Sequence, residues 1–290
     1  MGNTPSSDPV PAIVEAEASG DTAALFADIR ATLRVPVVNL IWRHLATIPG
    51  ALPWTWATLK PLHDAGTLAA EAEAMNAGLK VPSEIVAPGA LSGEVLTAIG
   101  LSPTDIDQID MILRSYGRSN TINIISVCVL SACLGSPAQR EISLRVDQNS
   151  RVGHRPPIGG AMPRLMSPDE MAPDTRTLID ALNDIGGRRA ILPTMYRHLA
   201  HWPGYLKLVH DTLAPCDRDG RLEGLIIGIL ADSRSRAAPL GAAISEPSHT
   251  LEASERDTVA TALTAFAEGP LCKMIAIVAI LNAAASPAQI

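Results

Sequence analysis

One segment occurs twice in this chain, and its register leaves few folds open. Residues 42–52 read WRHLATIPGAL and residues 196–206 read YRHLAHWPGYL, so His44 and His198, like Pro49 and Pro203, stand 154 residues apart. The match continues without a gap to Leu59 and Pro61, which answer Leu213 and Pro215. Two copies of one element in one chain argue for duplication and a pseudo-twofold arrangement of two repeats.

The residues around the copies read as helix. DTAALFADIRATLRVP, from Asp21, places Leu25, Ile29 and Leu33 on one face, and Pro36 closes it. A motif helix follows from about Val37 to Ile48 and stops at Pro49-Gly50. Residues 52–80 carry an Ala- and Leu-rich helical pattern. Ser102-Pro103-Thr104-Asp105 is a helix start, with Ser capping, Pro in the first turn and Asp at the positive end; Gly117 is expected to end that helix after Tyr116. The apolar run TINIISVCVLSACL at 121–134 could be a buried strand, but its counterpart LCKMIAIVAILNAA at 271–284 ends in alanines that favour helix. Each run is shorter than the roughly 20 residues a membrane span needs, so a buried central helix is the expectation. In the second copy, helices are expected from about Thr177, over 194–202, and near 205–215, 221–232, 254–267 and 271–285. Leu113 and Tyr116 also match Leu263 and Phe266, here 150 residues apart. The expected fold is therefore all-α: a flexible lead-in over 1–20, a repeat over 21–135, a Pro/Gly-rich connector over 136–174 and a second repeat over 175–287. A chain that is 47% hydrophobic but only 3% aromatic supplies a core of small aliphatic side chains, which suits close-packed helices.

Net charge of −7 without a basic cluster speaks against nucleic acid as a partner. Cys128, Cys133, Cys216 and Cys272 form no CxxC and have no His at ligand spacing, so they read as small buried hydrophobes in a reducing, cytoplasmic setting, with no metal and no cofactor called for. The opening MGNTPS fits a myristoylation pattern and equally a Pro/Ser-rich tail. With no apolar stretch after it, neither export nor membrane association is expected.

The run DIRATLRVPVVNLIWRHLATIPGALPWTW, SYG at 115–117 and HLAHWPGYL at 198–206 together resemble the group I 2-haloacid dehalogenase family over roughly residues 20–285. The resemblance implies an all-helical fold of two related repeats, often assembled as a homodimer. It also implies direct hydrolysis, in which a buried Asp helped by an Asn activates water to displace halide from the α-carbon of a 2-haloalkanoate. Counted back from HLAHWPG, the family's Ser-Asp pair falls on Thr194 and Met195, and counted on from Tyr116-Gly117 its Asn falls on Arg118. A thioether is no base, and a guanidinium donates but never accepts a proton. A one-residue shift brings Asn120 to the place of the lost Asn. The aromatic wall after Arg34-Val35-Pro36 becomes Val37 and Leu40, which widens the pocket.

On the 150 spacing, Arg118 pairs with Glu268 and Asn123 with Lys273. Lys273, set in an oily helix, either pairs with an acid, shifts its pKa downward or snorkels to water. The expectation is a dehalogenase-like enzyme for a small 2-substituted organic acid, in a pocket between the repeats, by chemistry other than Asp-assisted dehalogenation. Arg118 or Lys273 would hold the carboxylate and Glu268 would accept the proton; Thr194, Met195, Asn39, Leu40, Val37, Asn120, Asn123 and Tyr116 would line the pocket. The alternatives are hydrolytic dehalogenation by another acid, such as Glu268, and a non-catalytic small-acid binding protein. His44 and His198 recur with Arg43 and Arg197, which suggests architecture, and Trp42, Tyr196 and Trp202 suggest core packing. Thr67 and Glu71, at i and i+4, read as solvent-facing.

Overall fold

The computed structural model describes residues 10–82, 84–135, 162–244 and 251–286. Among these there is no strand, and twelve α-helices follow one another: α1 Gly20–Leu33, α2 Leu40–Leu45, α3 Ala51–Asp64, α4 Thr67–Gly78, α5 Gly93–Ala98, α6 Pro103–Gly135, α7 Pro173–Asp184, α8 Thr194–Leu199, α9 Pro203–Arg218, α10 Arg221–Ala243, α11 Ala253–Phe266 and α12 Cys272–Ala285. The fold is all-α.

The helix ends follow local chemistry. Asp105 caps reciprocally with Ser102: the Asp105 N–H donates to Ser102 Oγ at 3.2 Å and the Ser102 N–H to Asp105 Oδ2 at 2.9 Å. Gly50 starts α3 at φ +69, and Gly66, at φ +75, breaks the 52–80 pattern into α3 and α4. The two motif helices are shorter than the sequence suggests, six residues each.

One expectation fails at Gly117. The helix that starts at Pro103 does not stop there but runs to Gly135, absorbing the apolar 121–134 run. Gly117 keeps helical geometry, and a Cβ on it would lie 3.1 Å from Val278 Cγ1. This glycine lets α12 approach α6; it is not a stop. The corresponding junction before α12 differs. A π-helical turn, Ala267–Leu271, joins α11 to α12, with Gly269 at φ −96, ψ −111 and Pro270 behind it. The whole stretch Ala253–Ala285 is long and apolar enough to cross a membrane, yet 72% of its most apolar window is buried inside the protein, as in a core helix.

The chain divides into two compact units. Unit 1 takes its described residues from Met1–Ala77, Thr121–Ile158 and Leu230–Glu268. Its core packs Phe26, Ile29, Trp42, Leu45, Trp54 and Leu59, each at most 1% exposed. Trp42 meets Trp56 edge-on, and the Trp56 indole donates to Asp28 at 2.7 Å, tying α3 to α1. At the far end of α10 a Cβ on Gly241 would lie 2.7 Å from Ala132 Cβ, so α10 and the second half of α6 are in near-backbone contact. Residues 10–18, within the expected lead-in, are held in this unit: the Ile13 N–H donates to Arg43 O, and Glu15 pairs with Arg30 and accepts from the Val38 N–H.

Unit 2 takes its described residues from Gly78–Asn120, Gly159–Ile229 and Gly269–Ile290. The Trp202 indole donates to Asp105 at 2.8 Å, Cys216 donates to Ile85 O, and the Leu91 N–H donates to Ala284 O. Each unit therefore contains segments from both sequence repeats. Most of the expected connector, 136–161, lies outside the described residues, as does the MGNTPS opening; residues 162–174 are described and carry a short 3-10 turn, Pro168–Glu170.

Candidate functional site

Unit 2 gathers the residues on which the resemblance puts the family's catalytic positions. Met195, on α8, is fully buried, and Thr194 beside it is half-buried. From α6 come Tyr116, 7% exposed, the half-buried Arg118 and the buried Asn120. The Tyr116 ring stands 5.9 Å from that of His198, which places α6 against α8. Lys273, from α12, completes the set within the unit.

His198 is held as architecture. Its Nδ1 bonds Pro163 O at 3.0 Å, and Arg197 Nε donates to Met166 O at 3.0 Å, so the end of α8 fixes the segment entering the unit. Burial, the largest cause, pushes the His198 pKa down to about 4, with Arg197 and His201 also lowering it and the Pro163 carbonyl opposing. The imidazole is neutral at pH 7.

Lys273 does not reach water; the side chain is fully buried. Its Nζ donates to the Asn183 carbonyl at 2.6 Å. Burial lowers its pKa to about 8, while Asp217 and Asp184 pull it up and Arg188 pushes it down. Asp217 is itself engaged, accepting the Gly186 N–H at 2.9 Å. Gly186, at φ +74, lies against Lys273 Cδ, and Arg188 forms a two-armed pair with Glu223 beside it. In unit 2 the buried Tyr196 Oη and Asn183 Oδ1 have no hydrogen-bond partner among the described residues. Buried polar atoms are normally satisfied, so these mark positions where water or a ligand group would be stabilised. Burial also raises the Tyr196 phenol well above its ordinary value.

The remaining expected site residues lie in unit 1. Val37 and Asn39 are half-buried just before α2, and Leu40 is buried in it. Asn123 is fully buried and accepts the Trp42 indole N–H at 3.1 Å. Glu268 is half-exposed and forms an ion pair with Arg234. Glu71 pairs with Arg236 at 3.0 Å. Among the described residues, no group of three His, Cys, Asp or Glu side chains is placed to hold a metal ion.

Sequence reasoning did not find Asn183, because its contact with Lys273 is made by a backbone carbonyl that any residue would supply. Nor did it find the open hydroxyl of Tyr196, since an aromatic in a packed helix carries no sign of its polar end.

The comparisons agree on one family. No family model matches the chain. A configuration-inverting 2-haloacid dehalogenase of Alcaligenes xylosoxydans xylosoxydans is 26% identical over 212 residues, 72% of this chain and 70% of that protein. A second enzyme of that description, from Pseudomonas sp. (strain 113), is 28% identical over 71% of this chain and 67% of its own length. Over about 70% of its length this chain is thus similar to configuration-inverting 2-haloacid dehalogenases. An (R)-2-haloacid dehalogenase of Pseudomonas putida is 29% identical across a shorter part, 38% of this chain and 37% of that one. In fold, the chain is similar to a D-2-haloacid dehalogenase solved with L-LA, at a TM-score of 0.69 and 16% identity over 95% of this chain and 96% of that one. A mutant of a D-2-haloacid dehalogenase with D-2-CPA gives 0.67 at the same identity and coverage.

Proposed function

We propose that this chain is an enzyme for a small 2-substituted carboxylic acid, and that its chemistry is not Asp-assisted hydrolytic dehalogenation. The observation that carries the reading is Met195. The position where the resemblance puts the family's carboxylate is occupied by a fully buried thioether on α8. Losing a positioned general base costs about 10²–10⁴-fold in rate. In this reading Arg118 or Lys273 holds the substrate carboxylate, Thr194, Tyr116 and Asn120 shape the pocket with Met195, and Asn39, Leu40, Val37 and Asn123 do so in the first repeat. Glu268 is the proposed proton acceptor. A Lys with a pKa near 8 is partly neutral at mild alkaline pH and can pass a proton there. The test is calorimetric binding of 2-chloropropionate and lactate to wild type, Arg118→Ala and Lys273→Ala. At least a tenfold loss is expected in one variant; undiminished binding in both dismisses the assignment.

The names of the curated relatives favour a second reading, true 2-haloacid dehalogenation that uses a different acid, with Glu268 in that role. Chloride release from 2-chloropropionate that disappears in Glu268→Gln would establish it, and release no higher than a protein-free blank would dismiss it.

A further inference from the structure

We propose that unit 1 contains a separate binding site for a short-chain monocarboxylate, seated on Arg234. A cavity of about 230 Å³ opens there, lined by Cys128, Ser131 and Ala132 of α6, Arg234 of α10, and Thr264 and Ala267 where α11 passes into the π-helical turn. None of the residues proposed to hold the substrate carboxylate in unit 2 lines it; Glu268, proposed above as proton acceptor, pairs with its Arg234. Space of this size accommodates a molecule of a few carbons, since cavities of about 150 Å³ hold a benzene ring.

The walls define the chemistry. Ala132, Ala267 and the largely buried Cys128 make an apolar floor. Arg234 donates through Nη2 to Glu268 Oε1, and its other N–H groups meet no acceptor among the described residues. The guanidinium fork therefore has an open edge, and that shape matches a carboxylate. Thr264 adds a hydroxyl. Thr258 and Thr261, on the same helix, donate back to the carbonyls of Ser254 and Asp257, whereas Thr264 Oγ1 makes no hydrogen bond among the described residues. Ser131 donates to Val127 O at 3.0 Å, which leaves its oxygen able only to accept. The wall thus presents a cation, one free hydroxyl donor and an oily base, and an acid with a short alkyl body fits it.

Glu268 gives the proposal its sharpest consequence. It occupies one edge of Arg234 and repels an incoming anion, so removing its charge should strengthen binding. The experiment is calorimetric titration of propionate into the full chain at constant ionic strength. Arg234→Ala is expected to weaken binding at least about tenfold and Thr264→Val about threefold, while Glu268→Gln tightens it about threefold. Thr264→Val changes an exposed side chain of nearly the same shape, so it reads the site even if Arg234→Ala disturbs the fold. Arg118→Ala and Lys273→Ala remove only the propionate held in unit 2 and leave one equivalent bound at this second site, which separates its failure from failure of the unit 2 assignment. Propionate that does not bind, that binds wild type and Arg234→Ala alike, or that Glu268→Gln holds no more tightly would overturn the proposal. Sulfate binding as tightly as propionate would overturn the carboxylate class.

Discussion

Around α2 the indole of Trp42 donates to Asn123, whereas around α8 the hydroxyl of Tyr196, at the matching position, has no partner among the described residues. The residue that answers Asn123 on the 150 spacing is Lys273, whose Nζ turns to the Asn183 carbonyl. The frame around these groups is common to both. His44 Nδ1 bonds Pro11 O at 2.7 Å and His198 Nδ1 bonds Pro163 O at 3.0 Å. The Ile13 N–H donates to Arg43 O as the Met166 N–H does to Arg197 O, and His44 faces Phe266 as His198 faces Tyr116. The conserved geometry is therefore the scaffold, and the difference is in how the buried polar groups are spent. Around α2 the indole–amide pair closes through Asn123 Oδ1, while Asn123 Nδ2, like Trp54 Nε1 and His63 Nε2 in the same unit, has no hydrogen-bond partner among the described residues. Unit 2 buries a cation and leaves a hydroxyl open, at a cost that a folded chain tolerates where water or a ligand group completes the bonding.

Breaking the closed pair should have the largest effect. Asn123→Ala strands the Trp42 N–H and leaves a small void, so it is expected to cost about 3 kcal/mol in chemical denaturation. Next comes the buried cation. Lys273 is held at about 8 when folded against 10.5 for the unfolded group, so the unfolded chain binds the proton more readily between these values. Stability should rise by about 3 kcal/mol as pH climbs from 8 to 10.5, and Lys273→Met should flatten that rise.

The histidines sharpen the comparison at the acid end. His198 is depressed from 6.5 to about 4, so its contribution is intact above pH 6.5 and lost as pH falls toward 4. His63 in unit 1, pushed by burial to about 4 and stacked near Trp56, adds a loss of the same sign. Urea midpoints followed over that window should drop steeply in wild type, and about half as far in His198→Asn. The smallest effect belongs to the open hydroxyl. Tyr196→Phe removes a group with no protein partner, and should change stability by less than about 0.5 kcal/mol; a loss above about 1.5 kcal/mol would mean the hydroxyl is as fully used as the Trp42 indole.

How much of this was legible in the chain can be followed residue by residue. Helical class, the cap at Ser102–Asp105 and the scaffold role of the paired histidines are local or periodic matters, and the sequence states them directly. Gly117 shows the limit. A glycine after an aromatic suggests a helix end, but what decides the matter is a side chain 161 positions away, Val278, that needs the space. The division into units is likewise a property of packing, since α6 is one continuous helix whose residues belong to both. Lys273 stood out as an oddity in an apolar run, yet its partner is a main-chain carbonyl with no side-chain signature. Arg234 and Thr264 were invisible because their interest is in bonds they do not make.

The account turns on the thioether at position 195. Chloride release from racemic 2-chloropropionate, followed side by side for wild type and Met195→Asp, tests it most directly. The account predicts wild-type release no higher than a protein-free blank and a gain of at least about 10²-fold on restoring the carboxylate. Brisk release by the wild type that Met195→Asp does not improve would contradict it.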